Sequence, residues 1–365
     1  MVPTFPLGSG QRMRRSAAVL TIAGLLLIRV PLHADDLLYT YFADYLDALR
    51  TQAGIPGLAA AIVNVDGTVW PRGFGQPDLE RTLPTSVDTP FHLDGLTQLV
   101  TASLVLRCVE EGRLSLDDRI GQFKPASPDA SATIREVLTH TSGAPGNLVF
   151  AYRPQRLEPL ALAVRACSGD SYRERVGNLL EQRSMINSVP GPDAIHLEPP
   201  AEGIPSPQAV ARYTSVLANL AKPYAVSSQR RASQSQYTAT TLTTASGLIS
   251  SVYDFARFER ALRDDGRIVH RETLADAWRA PVDRDGRPLP HGLGWFVQSY
   301  NGKQVVWQFG VSENASSSMV VTVPSRGMTL ILAANSDGLV KPFALSSGDV
   351  TVSPFAKVFL GIFVR

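Results

Sequence analysis

The spacing of apolar positions changes several times along this chain, and each change marks a different element. From Asp36, a helix-capping residue, Leu38, Phe42, Tyr45, Leu46 and Leu49 fall on one face of a helix, which Gly54-Ile55-Pro56-Gly57 stops. Residues 58–65 form a continuous apolar run of strand length, Asp66-Gly67 a tight hairpin turn, and 68–74 the returning strand. Residues 96–111 are apolar almost all round and end at Gly112, the pattern of a helix buried on most sides. Thr133 and Glu136 have capping-box spacing for a short helix leading to His140.

Helical spacing continues over 159–166, 171–182, 207–221 and 252–264, with no strand-like alternation between. The Ser/Gln/Arg-rich stretch 227–236 is polar and predicts a surface loop rather than a basic binding patch. After Gly292 the pattern returns to strands at 293–299, 304–309, 317–323 and 328–334, with turns at Asn301-Gly302 and Pro324-Ser325-Arg326-Gly327, and a helix over 354–363 closes the chain. Two opening strands alone are marginal, so strands from both ends must share one sheet, with the helical middle inserted and a cleft between two lobes. The expected class is α+β: an antiparallel sheet flanked by terminal helices in a lobe from 35–91 and 288–365, and an all-helical lobe at 92–287.

A length of 365 residues with 44% hydrophobic and 19% charged residues can bury a large core. The net charge of +2, from 35 Lys and Arg against 33 Asp and Glu, gives no electrostatic footprint for nucleic acid or an anionic membrane surface. Arg12, Arg14 and Arg15 precede an apolar run at 17–28, and Leu32-His33-Ala34 supplies a small residue at a cleavage position. These features predict a signal peptide over 1–34, cleaved after about Ala34, a periplasmic or extracellular protein, and no integral membrane segment after cleavage. Cys108 and Cys167 are the only cysteines, and either a disulfide or two buried thiols fits their apolar helical settings. His, Cys and acidic residues show no metal-ligand spacing and no glycine loop suggests a nucleotide, so no cofactor is expected.

A series of short motifs runs in order along the chain: Gly54-Ile55-Pro56-Gly57, Asp88-Thr89-Pro90-Phe91, the segment from Glu111 through Leu116 to Asp118, Leu138-Thr139-His140-Thr141-Ser142-Gly143, Ala245-Ser246-Gly247-Leu248 with Asp254, and Gly292-Leu293-Gly294-Trp295. Together they resemble the β-lactamase-related serine hydrolases: class C β-lactamases, D-alanyl-D-alanine carboxypeptidases, penicillin-binding proteins and esterases of that fold. The family's chemistry is acyl transfer through a serine activated by a lysine three residues on, one helical turn away on the same face. Alignment on Phe91-His92-Leu93-Asp94 puts Gly95 at the serine position and Gln98 at the lysine position. Glycine has no side chain to acylate, and a glutamine amide does not serve as a base near neutral pH. The family's Tyr-x-Asn falls on Tyr152-Arg153-Pro154, a register supported by Gly169 and Tyr172 downstream, and its cationic strand motif falls on Gln308-Phe309-Gly310.

Stepping back three residues from each lysine reaches Gly121, Asn219, Tyr300, Gly338 and Pro354, so Ser-x-x-Lys occurs nowhere in the chain. Cys108 lies too far along its helix to substitute. His140 beside Ser142 reads as a structural support of the turn rather than part of a triad with Asp254. Trp295 and Trp307 read as core or cleft wall, and Ser316, Ser317 and Ser318 as strand-edge polars. The expectation is an exported relative without the family's nucleophile and base, whose remnant cleft (Tyr152, Gln308, Phe309, Gly310) binds a peptide, a cell-wall fragment or a protein. The alternatives are an active hydrolase with an unrecognised nucleophile, and a scaffolding protein with no ligand.

Overall fold

The computed structural model describes residues 1–4, 34–199, 201–264 and 266–364; the export signal expected at 1–34 falls almost wholly outside them. In chain order the elements are α1 (Ala34–Ala53), β1 (Gly57–Val63), β2 (Val69–Gly75), β3 (Phe91–His92), α2 (Thr97–Glu110), α3 (Ile134–Leu138), α4 (Leu160–Ser168), α5 (Tyr172–Gln182) and α6 (Pro207–Ala218). They continue as β4 (Tyr224–Val226), β5 (Ala232–Gln234), β6 (Ile249–Ser250), α7 (Val252–Arg263), α8 (Arg271–Ala277), β7 (Phe296–Tyr300), β8 (Lys303–Ser312), β9 (Ser316–Val323), β10 (Met328–Ala334) and α9 (Pro354–Phe363).

Six strands make one antiparallel sheet in the order β2-β1-β10-β9-β8-β7, so strands from the two ends of the chain meet at the β1–β10 pair. Every residue of β1 is buried because both faces of the sheet are covered. Leu58, Ala60 and Ile62 pack in one core with Phe42 and Leu46 of α1 and Phe355 and Phe359 of α9. Ala59, Ala61 and Val63 pack in the other with Leu99 and Val105 of α2 and Phe255 and Phe258 of α7. The two-residue side-chain period of a strand thus divides one apolar run between two cores. The fold is α+β, with the helices of the middle of the chain gathered on one side of the sheet and the terminal helices on the other.

Local chemistry sets several helix starts. Ser171 and Glu174 cap α5 reciprocally, as Thr133 and Glu136 cap α3, and the Ser251 hydroxyl accepts the Asp254 N–H at the head of α7. The structure corrects the sequence in four places. α1 begins at Ala34, ahead of Asp36. The stretch expected as a loop at 227–236 contains β5, which pairs with β4 in a short hairpin anchored where the buried Tyr224 hydroxyl accepts the Leu79 N–H. Its side chains stay half-buried or exposed, so no apolar alternation announces it. α8 was not anticipated, and the strand expected from 293 starts at Phe296. There the chain bends at Gly294, where a Cβ would come within 2.4 Å of the Ala102 methyl carbon.

Cys108 near the end of α2 and Cys167 near the end of α4 form a disulfide, with Cα atoms 6.1 Å apart and a sequence separation of 59. This settles the choice left open between a disulfide and buried thiols, and it leaves neither cysteine free to act as a nucleophile.

Candidate functional site

Gly95 lies on a 3-10 turn, Asp94–Leu96, between β3 and α2, and two serines of β9 fix that turn to the sheet. The Ser316 hydroxyl donates to the Asp94 carboxyl at 2.7 Å and the Ser318 hydroxyl donates to the Leu93 carbonyl at 2.6 Å. Ser317 donates to the Ser336 carbonyl. All three serines are fully buried, which corrects their reading as strand-edge polars: β9 is interior to the sheet, between β10 and β8. Asp94 itself has φ +46, a left-handed backbone that Asp tolerates better than most residues.

Strand β8 lies directly against Gly95. A Cβ added at Gly95 would sit 2.3 Å from the Phe309 carbonyl oxygen and 3.1 Å from Gly310 Cα. A Cβ at Gly310 would meet the Leu93 carbonyl oxygen at 2.3 Å and the Gly95 nitrogen at 2.5 Å. The obstructing atoms are backbone, so neither position accepts a side chain unless the turn and the strand separate.

Beside this contact runs a chain of uncharged polar groups. Gln98, in the first turn of α2, donates from Nε2 to the Tyr152 hydroxyl at 2.9 Å, and that hydroxyl donates to Gln308 Oε1 at 3.3 Å. Gln308 Nε2 donates to the Gly294 carbonyl at 3.3 Å, and its Oε1 also accepts the Phe309 N–H at 2.9 Å. Gln98 Oε1 is buried and has no hydrogen-bond partner. Burial raises the Tyr152 phenol above its ordinary value, against the opposing hydrogen bond from Gln98. No group in this chain changes charge near neutral pH, so it holds geometry and does not move protons.

A cleft of about 440 Å³ opens over these residues. Gly95, Gln98, Tyr152, Pro154 and Phe309 line it. Gln308 and Gly310 do not: Gln308 is fully buried with its amide engaged, and Gly310 is pressed on the Leu93 carbonyl. The lining also includes Asp94, Glu158, Thr243, Thr244 and Ser246, which sequence reasoning did not assign to the site. The Asp94-Gly95 pair at a strand-to-helix junction was the one available signal, since Asp-Gly marks a tight turn.

Neighbouring groups that resemble catalytic residues are engaged elsewhere. His140, at φ +54, packs its ring against Tyr152 (4.7 Å) and His291 (4.6 Å), and burial first, then His291, holds its pKa well below the ordinary value. The Asp254 carboxyl accepts from the Asn187 N–H, the Ser188 hydroxyl and Arg257, so no triad links it to His140 and Ser142. Trp307 stacks on Phe296 in the core behind the sheet, and Trp295 is buried in the opposite core.

His92 is fully buried, its Nδ1 3.7 Å from Asp94 Oδ1 and its ring 4.4 Å from that of Tyr237. Burial pushes the Asp94 carboxyl up to about 7, with the Ser316 hydrogen bond working against the rise. Because the folded pKa exceeds the unfolded one, Asp94 favours folding at low pH and loses that contribution as pH rises from about 4 to 7. Asp94→Asn, which keeps an acceptor for Ser316, is therefore expected to gain melting temperature relative to wild type at about pH 8 more than at about pH 5. Equal differences at both pH values would show that the carboxyl ionises as freely in the folded protein as in the unfolded one.

Sheet order, cleft position and the turn-to-strand contact describe the fold and its site, and comparison with known proteins gives the family. The family model described as Beta-lactamase matches residues 42–347, and the chain belongs to that family of serine hydrolases. Among curated proteins, Penicillin-binding protein 4 of Amycolatopsis lactamdurans is 31% identical over 118 residues, 31% of this chain and 31% of that protein. The match thus spans under a third of the length of that relative. Among solved structures, the octameric penicillin-binding protein homologue of Pyrococcus abyssi superposes with a TM-score of 0.71 at 19% identity, covering 88% of this chain and 77% of that one. A class C beta-lactamase Y150F mutant gives 0.67 at 16% identity, covering 89% and 98%. At those identities the likeness speaks for the fold.

Proposed function

We propose that this protein is an exported, non-hydrolysing member of the beta-lactamase family whose cleft binds a peptide, a cell-wall fragment or a segment of another protein. The observation that carries the reading is the contact at Gly95: the position aligned with the family's serine has no side chain, and a backbone carbonyl lies 2.3 Å from where its Cβ would be. The uncharged Gln98 beside it supports the same reading, since an amide does not take the proton that a nucleophile must lose. The disulfide between Cys108 and Cys167 supports export, because such bonds persist in oxidising compartments. A relative named for binding penicillin makes cell-wall peptides the first ligands to try.

Incubation with a fluorescent penicillin and, separately, with a fluorophosphonate, followed by intact-mass measurement, is expected to leave the mass unchanged. A stoichiometric adduct on a cleft residue such as Ser246 or Thr243 would instead establish an active hydrolase with a displaced nucleophile. A scaffolding role predicts no ligand-induced rise in melting temperature across muropeptides and acyl peptides, whereas a binding role predicts one.

A further inference from the structure

The direction of the hydrogen bonds beneath the cleft can be followed donor by donor. The Gly294 carbonyl can only accept, so Gln308 turns Nε2 toward it; the Phe309 N–H can only donate, so Gln308 turns Oε1 toward that. Gln308 Oε1 then receives the single proton of the Tyr152 hydroxyl. With that proton committed, the tyrosine oxygen can only accept, and Gln98 presents Nε2 to it. Both amide orientations follow from backbone groups whose roles are not interchangeable. The last acceptor, Gln98 Oε1, is left buried without a donor on a residue that lines the cleft.

The charges around the cleft agree. None of the lining residues is Lys, Arg or His, while Asp94 and Glu158 are acids, Glu158 being paired with Lys124. The Tyr152 and Phe309 rings and Pro154 supply an apolar wall.

Taking the cleft as a binding site, we infer that it selects a ligand whose anchoring group is an amide or amine N–H donor placed against Gln98 Oε1, beside an apolar body, and that it rejects carboxylates. A buried acceptor left unpaired is costly, and a ligand N–H relieves that cost, whereas a carboxylate brings a second acceptor and a charge with no cation to meet it.

Phenylacetamide and phenylacetate differ only in this group and suit the apolar wall. In ligand-observed NMR titrations of the full chain near neutral pH, phenylacetamide is expected to bind at least about tenfold more tightly than phenylacetate. Tyr152→Phe removes only a hydroxyl and frees the Gln98 amide to rotate, and Gln98→Leu removes the acceptor. In each variant the preference should shrink to about twofold or less, with near-ultraviolet circular dichroism confirming that the cleft aromatics remain packed. Equal binding of the two compounds, tighter phenylacetate binding, or a preference that survives both substitutions overturns the inference and leaves the binding role standing. Failure of both compounds to bind wild type counts against the binding role and removes the inference with it.

Discussion

Introducing together the serine and lysine that the alignment on Phe91 would place at these two positions, Gly95→Ser with Gln98→Lys, is expected to leave the protein silent toward labelled penicillin and to lower its stability by about 1–3 kcal/mol, the usual range for forcing extra atoms into a packed site. The reason is geometric. The serine Cβ would start 2.3 Å from the Phe309 carbonyl oxygen, and β8 is held on its far side by the ladder to β9, so the strand cannot withdraw locally. Ser318 fastens the same turn to β9 through the Leu93 carbonyl, which restrains the other side of the contact. Elsewhere near a helix start, replacing glycine by a residue with a side chain commonly stabilises through the unfolded state, so a loss here reads out the closed contact. Urea denaturation of wild type, Gly95→Ala and the double variant measures it, with intact mass reporting acylation. Full acylation with unchanged stability would show that β8 yields and that the missing side chains alone account for the silence.

Removing the disulfide is expected to have the largest effect on stability. Cys108 and Cys167 close a loop with a separation of 59 residues, for which chain entropy gives a destabilisation of about 4 kcal/mol, and measured losses for native disulfides fall at about 2–5 kcal/mol. The bond joins the far ends of α2 and α4, while Gln98 sits at the opposite end of α2, in its first turn. Cys108→Ala with Cys167→Ala should therefore melt well below wild type yet retain ligand binding once folded. Thermal melts with and without reductant check the first statement, since reductant should lower wild type and leave the double variant unmoved. A wild-type melting temperature indifferent to reductant would mean that the bond does not form in solution.

The site was legible in sequence where side-chain identity alone carries the meaning. Counting from Phe91 along the family resemblance puts Gly95 and Gln98 at the positions proposed for the serine and the lysine, and the absence of a hydroxyl and of an amine there is a property of the residues themselves. Pro154 was readable for the same reason. What could not be read was engagement. Gln308 looked like a cleft residue on a strand, yet its amide is turned to the Gly294 carbonyl, 14 positions away, and to the Tyr152 hydroxyl, 156 positions away. Ser316 and Ser318 looked like edge polars because serine is usually exposed. They are buried because Asp94 and Leu93, more than 200 positions earlier, supply their acceptors.

By itself the sequence determined the order and kind of most elements, since helix and strand periodicity, capping residues and turn dipeptides act over a few positions. It also determined that Ser-x-x-Lys occurs nowhere in the chain. The tertiary structure alone decided how β8 meets Gly95, which face of each polar amide is satisfied, and that Cys108 finds Cys167. Those outcomes depend on distances between segments far apart in the chain, and no local pattern encodes a distance of that kind.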